Sequence, residues 1–162
     1  MEKVTLNKDM KLSEHFTLGE LTKTSYKTED GNIPSRVAIE NLKNLCKNWL
    51  EDLRYSYNTL YPRDCPQEEV PLVVNSGYRS PEVNKRAGGS ATSNHLAGCA
   101  VDIQVSGFEQ AIRYASILLD ISDGTKRDFD ELYIERNKSG SHWIHFAVRP
   151  KGNRRKCKFI LT

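Results

Sequence analysis

Residues 93–105 read Ser93-Asn94-His95-Leu96-Ala97-Gly98-Cys99-Ala100-Val101-Asp102-Ile103-Gln104-Val105. In the second half of this stretch Val101, Ile103 and Val105 fall on one face of an extended chain and Asp102 and Gln104 on the other, because successive strand side chains alternate. A carboxylate is thereby carried on the polar face of a half-buried strand. The same alternation returns at Trp143-Ile144-His145-Phe146-Ala147-Val148. There Ile144, Phe146 and Val148 share the aliphatic side, while Trp143, His145 and Ala147 share the other.

Working outward, further strands are expected at 70–75, 131–135 and 157–161, where short runs rich in β-branched and aromatic residues lie between turn signals such as Asn137-Lys138-Ser139-Gly140. The helices have their own marks. Thr17 and Glu20 are spaced as a capping box. Ala38, Leu42, Leu45, Cys46, Trp49, Leu50 and Leu53 recur at three and four, which paints one apolar stripe on a long helix entered through Pro34 and Ser35. Ser80-Pro81 is an N-cap followed by proline at the first helical position, with Gly88-Gly89 as the stop. Ser106 and Glu109 are spaced as a second capping box, opening a helix that is expected to end before Gly124. The sum is an α+β fold with a mostly antiparallel sheet and flanking helices, in a single domain over 1–162. No internal repeat or linker divides the 162 residues, and that length suits one hydrophobic core.

Composition excludes more than it selects. No apolar run reaches the roughly 18 residues of a membrane span, and the N-terminus lacks the apolar segment of a secretion signal, so cytoplasmic synthesis is expected. The balance of 24 Lys+Arg against 21 Asp+Glu leaves a formal charge of +3, too slight to argue for nucleic acid. Cys46, Cys65, Cys99 and Cys157 form no CxxC pair and are expected as reduced thiols.

Three of the four histidines, His95, His142 and His145, fall at strands or their edges. His95 precedes Asp102 by seven residues, with Gly98 between them giving the backbone freedom to turn both side chains toward one point. His145 supplies a third ligand from a distant strand. Zinc suits such a set, since it accepts imidazole nitrogen and carboxylate oxygen and leaves a fourth position for water in catalytic sites.

The stretch Ser76-Gly77-Tyr78-Arg79-Ser80, then Asn84, Gly88-Gly89, the run from Ser93 to Ile103, and finally Trp143-Ile144-His145 resembles the zinc D-alanyl-D-alanine carboxypeptidase family, which includes phage endolysins and shares its fold with hedgehog-type domains. Its pattern S-x-H-x-x-G-x-A-x-D is met in order from Ser93 to Asp102, and the resemblance extends from about Leu12 to Val148. It implies a Zn2+ held by His95, Asp102 and His145, with Ser93 supporting the ligand loop or the substrate. Arg79 would hold the substrate carbonyl or carboxylate and steady developing charge. Many relatives place an acid three residues before the last histidine, and here that position is His142. Glu135 resembles a glutamate of one subgroup and is the preferred general base. His142 is the alternative, although strand alternation sets it opposite His145.

The reading that results is a peptidase of peptidoglycan stem or cross-bridge peptides, monomeric, with neither nucleic acid nor membrane as partner. It would be a phage or bacterial lytic enzyme acting at the cell wall after release, or a virion component. A catalytically silent zinc module for cell-wall binding or virion structure is the alternative. The basic stretch Arg149 to Lys158 reads as a solvated loop, and as an attachment for anionic polymer or nucleic acid only if its charges gather on one surface.

Overall fold

The computed structural model describes residues 5–62 and 68–162. Among them are helices α1 (Leu18–Leu21), α2 (Arg36–Leu45), α3 (Glu51–Leu60), α4 (Pro81–Arg86) and α5 (Phe108–Thr125). The strands are β1 (Val74–Ser76), β2 (Ala100–Gln104), β3 (Glu131–Arg136), β4 (His142–Ala147) and β5 (Lys156–Leu161). They form one sheet in the order β1-β2-β4-β3-β5, antiparallel throughout except for the parallel pair β3 and β5. The α+β expectation with a mostly antiparallel sheet is met.

The expected apolar stripe builds the core. α2 and α3 continue through a π-helical turn at Cys46–Leu50, and Ser35 Oγ caps the start by accepting from Ala38 N at 3.1 Å. Leu42, Leu45, Leu50 and Leu53 are wholly buried, each contributing about 1.5–3 kcal/mol through apolar area removed from water. Trp49 sits 5.1 Å from the Phe146 ring, and Tyr57 meets Tyr114 of α5 edge-on, so these helices cover one face of the sheet. That face is formed by the rows Val101, Phe146, Leu132 and Ile103, Ile144, Ile134. Apart from the end row Arg136 and His142, the polar residues of the three central strands are left to the other face.

The helix starts expected at Thr17, Ser35 and Ser80 are capped as their side chains predict. Thr17 and Glu20 form the capping box, and Ser80 caps α4 with Pro81 at its first position. Three expectations need correction. The strand at 70–75 is confined to Val74–Ser76, because Pro71 has no N–H to give and Asn58 takes both Val70 N and Val70 O. The Ser106 box does not form: Gly107 is the N-cap of α5, and Gln110 Oε1 accepts from Ser106 N at 2.7 Å. α5 also runs through Gly124 to Thr125, ending where Lys126 takes a left-handed conformation at φ 59°. Cys46, Cys99 and Cys157 are free, whereas Cys65, with the loop expected around it, lies outside the described residues. Burial pushes the Cys99 thiol up to about 11 and Cys46 higher still, which keeps both as inert thiols. No helix among the described residues is long and apolar enough to cross a membrane.

Candidate active site

The polar face of β2, β4 and β3 is a grid fixed by register. Asp102 stands opposite His145, which stands opposite Tyr133, and the next row joins Gln104, Trp143 and Glu135. Ahead of β2 the chain makes a 3-10 turn over Asn94–Ala97, capped by Ser93 Oγ accepting from His95 N at 3.2 Å. Gly98 closes that turn at φ 69°, where a side chain would also strike the Ala38 carbonyl. Gly77 lies against the Leu21 carbonyl with no room for a Cβ, and its own carbonyl is thereby fixed beneath His95.

His95, Asp102 and His145 each offer one ligand atom, and these atoms lie within 4.8 Å of one another. The surroundings decide which atoms those are. His95 Nδ1 is 2.6 Å from Gly77 O, and a carbonyl only accepts, so Nδ1 carries the proton and Nε2 keeps its lone pair for the cluster. Nε2 lies 3.4 Å from Asp102 Oδ1. Asp102 gives its other oxygen, Oδ2, to Arg79 Nη2 at 2.9 Å. His145 turns Nδ1 to Asp102 Oδ1 and Nε2 to Glu131 Oε1, both at 3.1 Å. Every member thus aims one donor atom at a shared point while its second atom is held from behind. Two imidazole nitrogens and a carboxylate oxygen, with a cleft on the open side, fit a tetrahedral zinc site with one position to spare.

The electrostatics follow from this packing. Burial alone would raise the Asp102 carboxyl, but the adjoining His95 and the hydrogen bond from His145 overcome it and hold the group well below the usual carboxylate range. For His145, burial favours the neutral ring, yet the hydrogen bonds to Asp102 and Glu131 prevail and raise its pKa to about 9. Glu131 is driven the other way. Against its burial, His145, Tyr133 and Asn94 all donate to it and lower it to about 2.

The cleft over these groups has a volume of about 410 Å³. It brings together most residues singled out from sequence, since Arg79, Ser93 and Glu135 line it beside the three candidate ligands. Glu135 accepts from the Trp143 indole N–H, and burial pushes its carboxyl above the ordinary value. Arg79 is more committed than expected: Nε donates to Ser76 Oγ at 2.9 Å and Nη2 to Asp102, so it holds a candidate ligand in place as well as facing the cleft. His142 is not brought into the cleft. It pairs with Arg136 on the strand, and its ring lies 5.4 Å from Phe108 on the helix-covered side, as alternation along β4 requires.

Glu131 was not foreseen. Its signal was present in Glu131-Leu132-Tyr133-Ile134-Glu135, where period two sets Glu131 and Tyr133 on the face of Glu135. Tyr133 OH donates to Glu131 Oε2 at 2.7 Å and Asn94 Nδ2 to Oε1 at 2.6 Å, which leaves the carboxylate little freedom. Because Glu131 fixes the ring of His145 and raises its basicity, Glu131→Ala is expected to weaken metal binding by about 10- to 100-fold. Glu131→Gln should lose less, since an amide oxygen still accepts from Nε2. Competition with a graded series of chelators measures both, and unchanged affinity in Glu131→Ala would remove Glu131 from this role.

Residues 14–126 match the family model described as Peptidase M15. The match takes in His95 and Asp102 and stops short of His145. A search among curated proteins finds no match.

Proposed function

Because the chain belongs to the peptidase M15 family, a family of zinc-dependent peptidases acting on peptidoglycan-like substrates, we propose that it hydrolyses amide bonds in stem or cross-bridge peptides of bacterial peptidoglycan. In this reading it is a cell-wall lytic enzyme of phage or bacterial origin. The observation that carries the reading is the division of labour in the donor set: one atom of each of His95, Asp102 and His145 converges, and each second atom is tied to Gly77, Arg79 or Glu131.

A zinc ion in such a set supplies Lewis acidity, which polarises a carbonyl and acidifies water. The chain's own residues do the rest. Glu135, aimed by the Trp143 indole, accepts a proton from the attacking water and returns it to the leaving amine nitrogen. Its raised pKa brings it nearer to neutral working conditions, where a general base is most effective. Arg79 holds Asp102 with one Nη and, having no partner among the described residues for Nη1, presents that N–H to the negative charge growing on the substrate carbonyl oxygen. Ser93 keeps the 3-10 turn, and with it His95, in place. A carboxylate with a raised pKa in the same cleft as the cluster favours catalysis over a silent zinc staple.

The test is digestion of purified peptidoglycan by zinc-loaded protein, with the new amino and carboxyl termini identified by mass spectrometry. Release of peptide termini with glycan strands left intact is the expected result, and the identity of the termini separates endopeptidase from carboxypeptidase action. Intact peptides after prolonged digestion would overturn the proposal.

A further inference from the structure

The turn between β4 and β5 brings a second set of charges to the cleft, and no step above uses them. Arg149 and Arg154 both line the cleft, and both are anchored from beneath by Asp130, whose side chain is wholly buried. Arg154 grips Asp130 with Nε on Oδ1 at 2.9 Å and Nη2 on Oδ2 at 2.8 Å, and its backbone N–H adds a third bond to Oδ1 at 3.1 Å. Arg149 Nε lies 3.2 Å from Asp130 Oδ2 and donates to Asn94 Oδ1 at 2.9 Å. One carboxylate therefore serves two guanidiniums. Glu131 is the other acid nearby, 3.7 Å from Arg154 Nη2, but His145, Tyr133 and Asn94 already engage it.

The donor count agrees with the charge count. Among the described residues neither Nη of Arg149 has a partner, and Arg154 keeps Nη1. Both side chains remain partly open to the cleft, at 33% and 39% exposure. Rigid forks that are short of acceptors suit a carboxylate, which takes two parallel N–H bonds from a guanidinium. Their place is also defined. Asn94 Nδ2 bonds both Asp130 Oδ2 at 2.8 Å and Glu131 Oε1, so the arginines adjoin the His145 end of the site. Glu135 lies four residues farther along β3, so the arginines and the proposed base flank the candidate ligands from opposite ends.

We infer that Arg149 and Arg154 form an anion subsite that takes a free carboxylate of the peptide substrate, at the end of the cleft opposite Glu135. This rests on the peptidase reading and deepens it: the preferred substrate carries a carboxylate beside the scissile bond, on the side away from the base. The basic stretch of the sequence thereby has a cleft-facing part, Arg149 and Arg154, distinct from its remaining lysines.

The experiment compares matched stem peptides, one with every carboxylate free and others with a single carboxylate converted to its amide. Binding is read by calorimetry in zinc-loaded Glu135→Gln protein, and KM and kcat are read in the zinc-loaded wild type. One amide should bind about tenfold or more weakly, the scale of a lost charge-assisted hydrogen bond. Arg149→Gln should flatten that preference to within about twofold, raising KM for the free acid with kcat little changed. Arg149 carries the test because Arg154 still covers Asp130 in that variant, whereas Arg154→Gln strips the buried carboxylate and endangers the fold. The inference is overturned if all amides bind like the acid, or if the preference survives in Arg149→Gln. It is equally overturned if inorganic polyphosphate displaces acid and amide peptides alike through Arg149, since the subsite would then serve a phosphate polymer. Discrimination in binding without hydrolysis of any peptide would sink the peptidase reading and leave the subsite standing; hydrolysis without discrimination does the reverse.

Discussion

Glu135→Gln is expected to lower peptidoglycan hydrolysis by about 10²–10⁴-fold, the usual worth of a positioned general base, with zinc content and fold unchanged. Glutamine keeps the shape and can still accept from the Trp143 indole, so the neighbouring strand has no reason to move. What it loses is the ability to take a proton. Glu135 is not a member of the ligand cluster, which is why metal retention separates this effect from damage to the site. His142→Ala is the matching control. Its ring packs on Phe108 on the far side of β4, so the variant should retain most activity. If the two outcomes are exchanged, the imidazole is the base and the proposed roles reverse.

His95→Ala should abolish stoichiometric zinc and, with it, all measurable hydrolysis. The loss is expected to be near complete because His95 is buried and its Nδ1 is locked to Gly77, which leaves no neighbouring nitrogen able to swing into its place. Elemental analysis of chelator-free preparations decides this, and full zinc in the variant would remove the site from consideration. Zinc uptake has a pH signature as well. In the metal-free protein His145 is raised to about 9, so below that pH its ring carries a proton on both nitrogens, and Nδ1 must release one to become a ligand. Affinity should therefore fall as pH drops from 9 toward 6, with about one proton set free per zinc near neutrality. Calorimetry in buffers of different ionisation enthalpy counts that proton. Uptake with no proton released would contradict the hydrogen-bonded state of His145.

Residues 100–105 and 143–148 made the centre of this protein legible because strand alternation is local: whichever partner a strand finds, Asp102 and His145 must oppose their aliphatic neighbours. The same holds for the helix caps at Thr17, Ser35 and Ser80, whose side chains bond N–H groups only three residues away. The Ser106 box failed although its spacing was right, because Gln110 reaches the same backbone from within α5, a competition that spacing does not reveal. His142 shows the local rule at its most useful, since alternation alone placed it opposite His145, where the structure has it.

Only the tertiary structure could decide which side chains stand behind the candidate ligands. Glu131 meets His145 only because β3 pairs with β4 in a register that sets Tyr133 opposite His145, and register is a property of two strands and their turn, which neither strand's own pattern contains. Arg79 meets Asp102 across 23 residues of chain, and Arg149 and Arg154 converge on Asp130 from a turn whose charges read in sequence as a solvated run. The fold class and the face each strand turns to the cleft were legible in the sequence, because these depend on periodicities of two and 3.6 residues. The Nδ1–H tautomer of His95 and the anchoring of the arginines were decided by packing between distant segments, because a hydrogen bond or an ion pair between them exists only once the sheet has closed.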